Sequence, residues 1–262
     1  MNQLTLSHVL QALGGGQSIT AFFLVLGRVS PLFVLAPLFS AKQIPAQVKG
    51  IIAVALAVGL TGLAMHGQHI PTQPVQVAGM MVVQILVGIL FAFAIGALMA
   101  AVQTAGGLAD IFSGLSFGAT VDPINGNPGG VFSEFYALIG AMLFIAIGGD
   151  AWMLRGIART FTLIPLTKAP QLGSLANAAE LSFTSIFTSA LEVAAPVMLT
   201  LLITDVAFGM VSRVVPQMNV FSVAFPLKVG VSLLAVAATL PFLGGWLSDQ
   251  VYTSVATALH AF

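Results

Sequence analysis

The chain has no cysteine, and only 6% of its 262 residues are charged. The first absence excludes a disulfide frame, a thiol nucleophile and any cysteine-ligated metal. The second excludes a soluble domain, which carries about 25% charged residues to cover its surface. Formal net charge is zero, so nothing in the overall balance points to nucleic acid or to an anionic surface as partner. No Lys or Arg precedes Arg28, so the basic n-region of a cleavable signal peptide is missing and the first apolar span is expected to stay in the mature protein. Also missing is any arrangement that reads as an enzyme. His66 and His69 stand three apart in a polar loop without a nearby carboxylate, and "GGGQS" (14–18) lacks the lysine of a phosphate loop. The acidic residues are too scattered to form an acid/base couple. No catalytic, cofactor-binding or metal-binding residue is nominated.

What the chain does have is apolar length. Hydrophobic residues make up 58% and mean hydropathy is +1.05. A spanning helix needs about 20 apolar residues, so this length allows six to eight spans. Apolar blocks separated by turn signals give segments at about Ile19–Phe39, Ile51–Met65, Val75–Thr104, Val131–Ile147, Ala151–Leu166, Leu181–Val211 and Val220–Leu247. The last two are joined only by "SRVVPQMN" (212–219), which forces a helical hairpin. Trp152, Trp246 and Tyr252 fall near segment ends, where amphipathic rings favour the membrane interface. Simple alternation puts Lys42, Lys49, Arg213 and Lys228 on one side and Arg155, Arg159 and Lys168 on the other, which sets no orientation.

Three features go beyond a plain bundle. Gly88, Ala92, Gly96, Ala100 and Thr104 form a small-residue stripe that admits a second backbone, of this chain or of another. Arg28, Glu192, Asp205 and Lys228 lie inside apolar segments, where an unpaired charge is costly. Asp205 and Arg213 are about 12 Å apart along one helix, too far to pair, so Lys228 across the hairpin or another chain is the expected partner of Asp205. Pro31, Pro37, Pro196, Pro226 and Pro241 are each expected to bend or break a helix. Freed backbone at membrane depth must then be buried in protein or face a wet cavity. Such a pattern suits a subunit of a larger assembly. It also suits a multi-pass secondary transporter of a small solute, with Asp205, Glu192 and Arg28 around a midplane site. The stretch "LSFGATVDPINGNPGG" (115–130) is too rich in Gly and Pro for a helix and longer than a hairpin connection needs.

Three patches carry a resemblance: "RVSPLFVLAPLFSAKQIPAQVKGIIAVAL" (28–56), "DIFSGLSFGATVDPINGN" (110–127) and "LLITDVAFGMVSRVVPQMNVFSVAFPLKVGVSLL" (201–234). Together they make the chain similar to the FliR/SctT family of type III secretion export-gate subunits, almost end to end, and "RVVPQMNVF" with "FPLKVG" looks flagellar rather than injectisome. The resemblance implies an all-α integral membrane protein of long, broken helical hairpins, packed in a cone-shaped hetero-oligomer with FliP and FliQ, one copy of this chain, and FlhB alongside. It implies a FliP-like part over 1–170 and a FliQ-like hairpin over 171–262. It places the assembly in the bacterial inner membrane, within the flagellar basal body, with unfolded flagellar proteins passing through the pore. A plug loop is implied at about 106–130, with Gly114, Leu115, Phe117, Gly118, Asp122, Pro123, Asn125 and Gly126 in it and Phe117 as apolar stopper. Subunit contacts are expected at Arg28, Glu192, Asp205, Arg213, Gln217, Asn219 and Lys228, with no cofactor and no nucleic acid.

Overall fold

The computed structural model describes residues 15–37, 39, 44–66, 68–116, 130–217 and 219–260. Among the described residues the regular elements are all helices: α1 (Gly15–Val29), α2 (Leu32–Leu35), α3 (Ala46–Ala64), α4 (Pro74–Ser113), α5 (Val131–Ala146), α6 (Gly149–Leu163), α7 (Leu172–Val214) and α8 (Val220–His260). Five stretches are long and apolar enough to cross a membrane: Gly16–Leu35, Ala46–Ala64, Pro74–Ser113, Leu172–Val214 and Ser222–Ala256. The α5–α6 pair, bent by 69°, is a sixth if it crosses as one broken span.

Local chemistry sets most boundaries. Pro31 cannot continue α1 and instead stands at the N-cap of α2. Pro45 caps α3 in the same way. Pro74 is the first residue of α4, the position where a missing N–H costs nothing. Gly114, with φ +86°, takes the left-handed conformation that stops α4. Gly148, with φ +71°, does the same between α5 and α6.

Three prolines do not break their helices as the sequence suggested. α7 runs through Pro196, and α8 runs through Pro226 and Pro241. Each costs one backbone hydrogen bond, which a long apolar helix packed among neighbours tolerates. The plug expected from about 106 begins later than that bound: α4 stays helical through Gly106 and Gly107 to Ser113. The final hairpin helices extend beyond their apolar cores, to 43 residues for α7 and 41 for α8.

The chain divides into two compact units. One comprises Met1–Gly96, Asp150–Ser182 and Val251–Phe262; the other comprises Ala97–Gly149 and Phe183–Gln250. In the first, α1 packs along α3. Ala21, Leu24, Val25, Arg28 and Val29 form the buried stripe of α1 at the spacing of one helix face. The small-residue stripe of α4 serves packing within the chain. A Cβ on Gly88 would run into the main chain of Arg28, and one on Gly96 would sit 2.8 Å from the Leu35 carbonyl oxygen. Ala92 between them is fully buried.

These contacts predict a contrast on one helix. Gly88→Ala must push α1 off α4 and should cost about 1–3 kcal/mol. Gly79→Ala, which meets open space, should be neutral or slightly stabilising, since Ala is the better helix former. Thermal unfolding of the detergent-solubilised variants measures both.

Candidate functional site

The expected plug is bounded in the structure by Gly114 and Ser116 on one side and Gly130 on the other, and both boundaries are fastened to Asp110 on the last turns of α4. The Asp110 carboxylate is almost fully buried. It accepts the backbone N–H of Phe132 at 2.9 Å and that of Ser133 at 2.9 Å. These are orphan donors of the first turn of α5, whose N-cap, Gly130, has no side chain to serve them. Asp110 therefore acts as the N-cap from 22 residues away, placing negative charge at the positive end of the helix. On the other side, the Asp110 carbonyl accepts the Ser113 hydroxyl at 3.1 Å and the Ser116 N–H at 3.3 Å. Ser133 adds a 3.4 Å bond to the Gln103 carbonyl.

Two glycines make this closeness possible. A Cβ on Gly130 would collide with the Asp110 carboxylate, and one on Gly106 with the backbone of Phe132 and Ser133. Leu115, the other described member of the expected plug, lies in the turn after α4 and donates its N–H to the Ser113 hydroxyl oxygen at 3.4 Å. Phe117, Gly118, Asp122, Pro123, Asn125 and Gly126 lie outside the described residues.

Arg28, expected as an ion pair, has no carboxylate among its hydrogen-bond partners in the described residues. Its Nε donates to Gln84 Oε1 at 2.7 Å, and its terminal nitrogens donate to the carbonyls of Thr160 and Ile164 at 3.0 Å. The Thr160 carbonyl lies in the last turn of α6 and also accepts the Ile164 N–H at 2.8 Å, and the Ile164 carbonyl lies one residue past the helix end. The guanidinium thus meets the negative end of a helix dipole instead of a side-chain anion. Its carbon stands 4.4 Å from the Phe161 ring centroid. Gln84, also fully buried, turns its Nε2 to the Leu166 carbonyl at 3.0 Å and extends the clamp past the helix end.

The remaining expected contact residues sit in the second unit. Glu192 accepts the Trp246 indole N–H at 3.0 Å. Trp246 is accordingly buried rather than exposed at an interface, unlike Trp152 and Tyr252, which are open and meet edge to face at 5.7 Å. Asp205 and Lys228 form the cross-hairpin ion pair at 2.7 Å, with Asp205 49% exposed. That pair leaves much of the carboxylate available to another chain. Arg213, Gln217 and Asn219 are all exposed at the hairpin tip.

Sequence reasoning nominated neither Asp110, Gly106 nor Gly130 individually. A signal existed: Asp110 is the only charge between Lys49 and Asp122, and it directly precedes the Gly/Pro-rich stretch.

A family model described as bacterial export proteins, family 1, matches residues 19–253. The flagellar biosynthetic protein FliR of Pectobacterium carotovorum subsp. carotovorum is 29% identical over 86% of each chain. That of Bacillus subtilis (strain 168) is 32% identical over 82% of this chain and 83% of its own. The surface presentation of antigens protein SpaR of Shigella flexneri is 30% identical over 84% of this chain and 85% of its own.

Two substitutions test the clamps. Asp110→Ala leaves the α5 donors bare and should cost about 1–2 kcal/mol, with Asp110→Asn, which keeps one acceptor oxygen, losing less. Arg28→Leu takes the guanidinium from the buried Ile164 carbonyl and from Gln84 Oε1 and should cost about 3 kcal/mol or more. Melting temperatures in one detergent give the order wild type, D110N, D110A, R28L.

Proposed function

The chain belongs to the bacterial export proteins, family 1, and on that premise we propose that it is a pore subunit of the flagellar type III protein export gate. It assembles in the bacterial inner membrane with FliP and FliQ, with FlhB alongside. Unfolded flagellar proteins pass through the channel it helps to form. Its part is structural, not enzymatic. Residues 1–170 act as the FliP-like part and 171–262 as the FliQ-like hairpin.

The observation that supports this reading most directly is the length of the apolar surfaces. At 1.5 Å per residue, helices of 40, 43 and 41 residues are about 60 Å long, roughly twice the hydrocarbon thickness of a bilayer. Yet α7 carries exposed apolar side chains along its whole length, from Leu172 at 77% through Phe187 and Leu199 to Val214 at 79%. Lipid tails cover only about half of such a helix. Protein must cover the rest, and neighbouring helices of an assembly do so. Asp205, Arg213, Gln217, Asn219 and Lys228 are the residues on that surface best suited to polar contacts with those neighbours.

Within the gate, residues 114–130 form the plug. The described residues that flank it, Ser116 on one side and Phe132 and Ser133 on the other, both bond to Asp110, which gives the segment a common anchor. Glycine-rich backbone can also lie close to a narrow axis. The relatives include both flagellar biosynthetic proteins and the surface presentation of antigens protein SpaR, and "RVVPQMNVF" with "FPLKVG" supports the flagellar role. The solute-transporter reading has little support. Arg28 is committed to helix-end carbonyls, Glu192 to Trp246 and Asp205 to Lys228.

Deleting residues 114–130 should raise ion leak through membranes of cells that also carry FliP and FliQ, and an unchanged conductance refutes the plug. Arg213→Glu should lower the amount of complex recovered with FliP and FliQ. Normal recovery with slowed export would instead assign Arg213 to transport.

A further inference from the structure

The overall charge balance of zero conceals a local imbalance in the first unit. α6 is 15 residues long, about 22 Å, too short to cross a bilayer by itself. Its inner face, Met153, Ile157, Thr160 and Phe161, is buried. Its outer face carries Trp152, Arg155, Arg159 and Thr162, all exposed. The only carboxylate on the helix, Asp150, lies on a different face. Lys168 follows one turn past the helix end, also exposed, so three of the eight basic residues of the chain fall within 14 positions. Arg155 reaches over the Trp152 ring at 6.0 Å, and Trp152 meets the exposed Tyr252 ring at 5.7 Å.

Two arginines cannot face hydrocarbon without a large penalty. Tryptophan and tyrosine beside them favour the headgroup level. A second feature of the same unit is an open groove of about 450 Å³ whose lining includes Pro71, Gly79, Met80, Val83 and Leu166, with Lys168 among its few polar members. Apolar walls with one cation match an acyl chain carrying an anionic headgroup.

We propose that this face, Trp152, Arg155, Arg159 and Lys168 with the groove along Met80 and Val83, binds an anionic phospholipid. The acyl chain lies on Met80, Val83 and Leu166. The phosphate faces Lys168, and Arg155 and Arg159 meet neighbouring headgroups beside the aromatic pair. This inference stands independently of the export-gate reading.

The chain has two tryptophans; Trp246 is 7% exposed and Trp152 is 40% exposed. The difference in fluorescence between the full-length chain and Trp152→Phe therefore isolates Trp152. Both are reconstituted in phosphatidylcholine liposomes containing acyl-brominated phosphatidylglycerol or acyl-brominated phosphatidylcholine. The glycerol lipid should quench Trp152 at about fivefold lower mole fraction, the order expected for even one basic contact, and added salt should narrow the gap. Arg155→Gln, Arg159→Gln and Lys168→Gln together should abolish the preference while circular dichroism keeps its helical signal. If the triple variant does not reconstitute, Lys168→Gln alone should reduce the preference. Equal quenching by the two lipids in the native chain overturns the proposal, as does a preference that survives the substitutions. Should neither lipid quench Trp152 in the assembled export complex, the face is covered by protein and the proposal fails.

Discussion

Backbone polar groups at membrane depth have no water to bond with, and the fold is organised around that constraint. It is easily met along a helix and hard to meet where a helix starts or stops. The chain has such ends at the outer termini of the bent α5–α6 pair, and it assigns a charged side chain to each. Asp110 supplies a carboxylate to the N–H groups at the start of α5. Arg28 supplies a guanidinium to the carbonyls at the end of α6. Each charge has the sign that the helix dipole favours at that end. Both charged residues therefore act on helix ends: Asp110 bonds backbone N–H groups, and Arg28 bonds backbone carbonyls together with the Gln84 side chain.

Those caps work only because backbones come close, and closeness is set by glycine. Gly88 admits the main chain of Arg28, which brings the guanidinium within reach of Gln84. Gly106 and Gly130 admit the start of α5 to the end of α4, which brings Phe132 and Ser133 to Asp110. Each charged clamp thus depends on the absence of a side chain nearby. The order of cause runs from small residues to helix approach, and from helix approach to satisfied polar groups.

The outer surfaces follow a different logic. Helices about twice as long as a bilayer is thick, with exposed apolar side chains along their length, describe a chain whose environment is partly lipid and partly protein. The cross-hairpin pair of Asp205 and Lys228 keeps two charges tolerable on that surface. The basic and aromatic face of α6 is the exception to the apolar rule, and a headgroup layer is the environment that suits it. An export subunit is compatible with both: neighbours along the long helices, lipid where charge and aromatic rings collect.

The sequence by itself determined the membrane class, the terminal hairpin and the helix starts and stops marked by glycine and proline, while its six to eight spans become five, or six with the bent α5–α6 pair. Hydropathy, glycine and proline act over a few residues, so their effects can be read locally. The partner of Asp205 was legible too, because a short connection fixes which residues oppose each other across a hairpin. Tertiary structure alone decided that Pro196, Pro226 and Pro241 leave their helices continuous, and that Trp246 turns inward to Glu192. It also decided that Arg28 meets carbonyls 132 and 136 positions away and that Asp110 caps a helix 22 positions on. Hydrogen bonds depend on distance in space, and no periodicity along the chain encodes which orphan backbone group a distant charge will reach. Net charge gave the opposite impression from the exposed face of α6 for the same reason: a sum over the chain carries no information about where the charges lie.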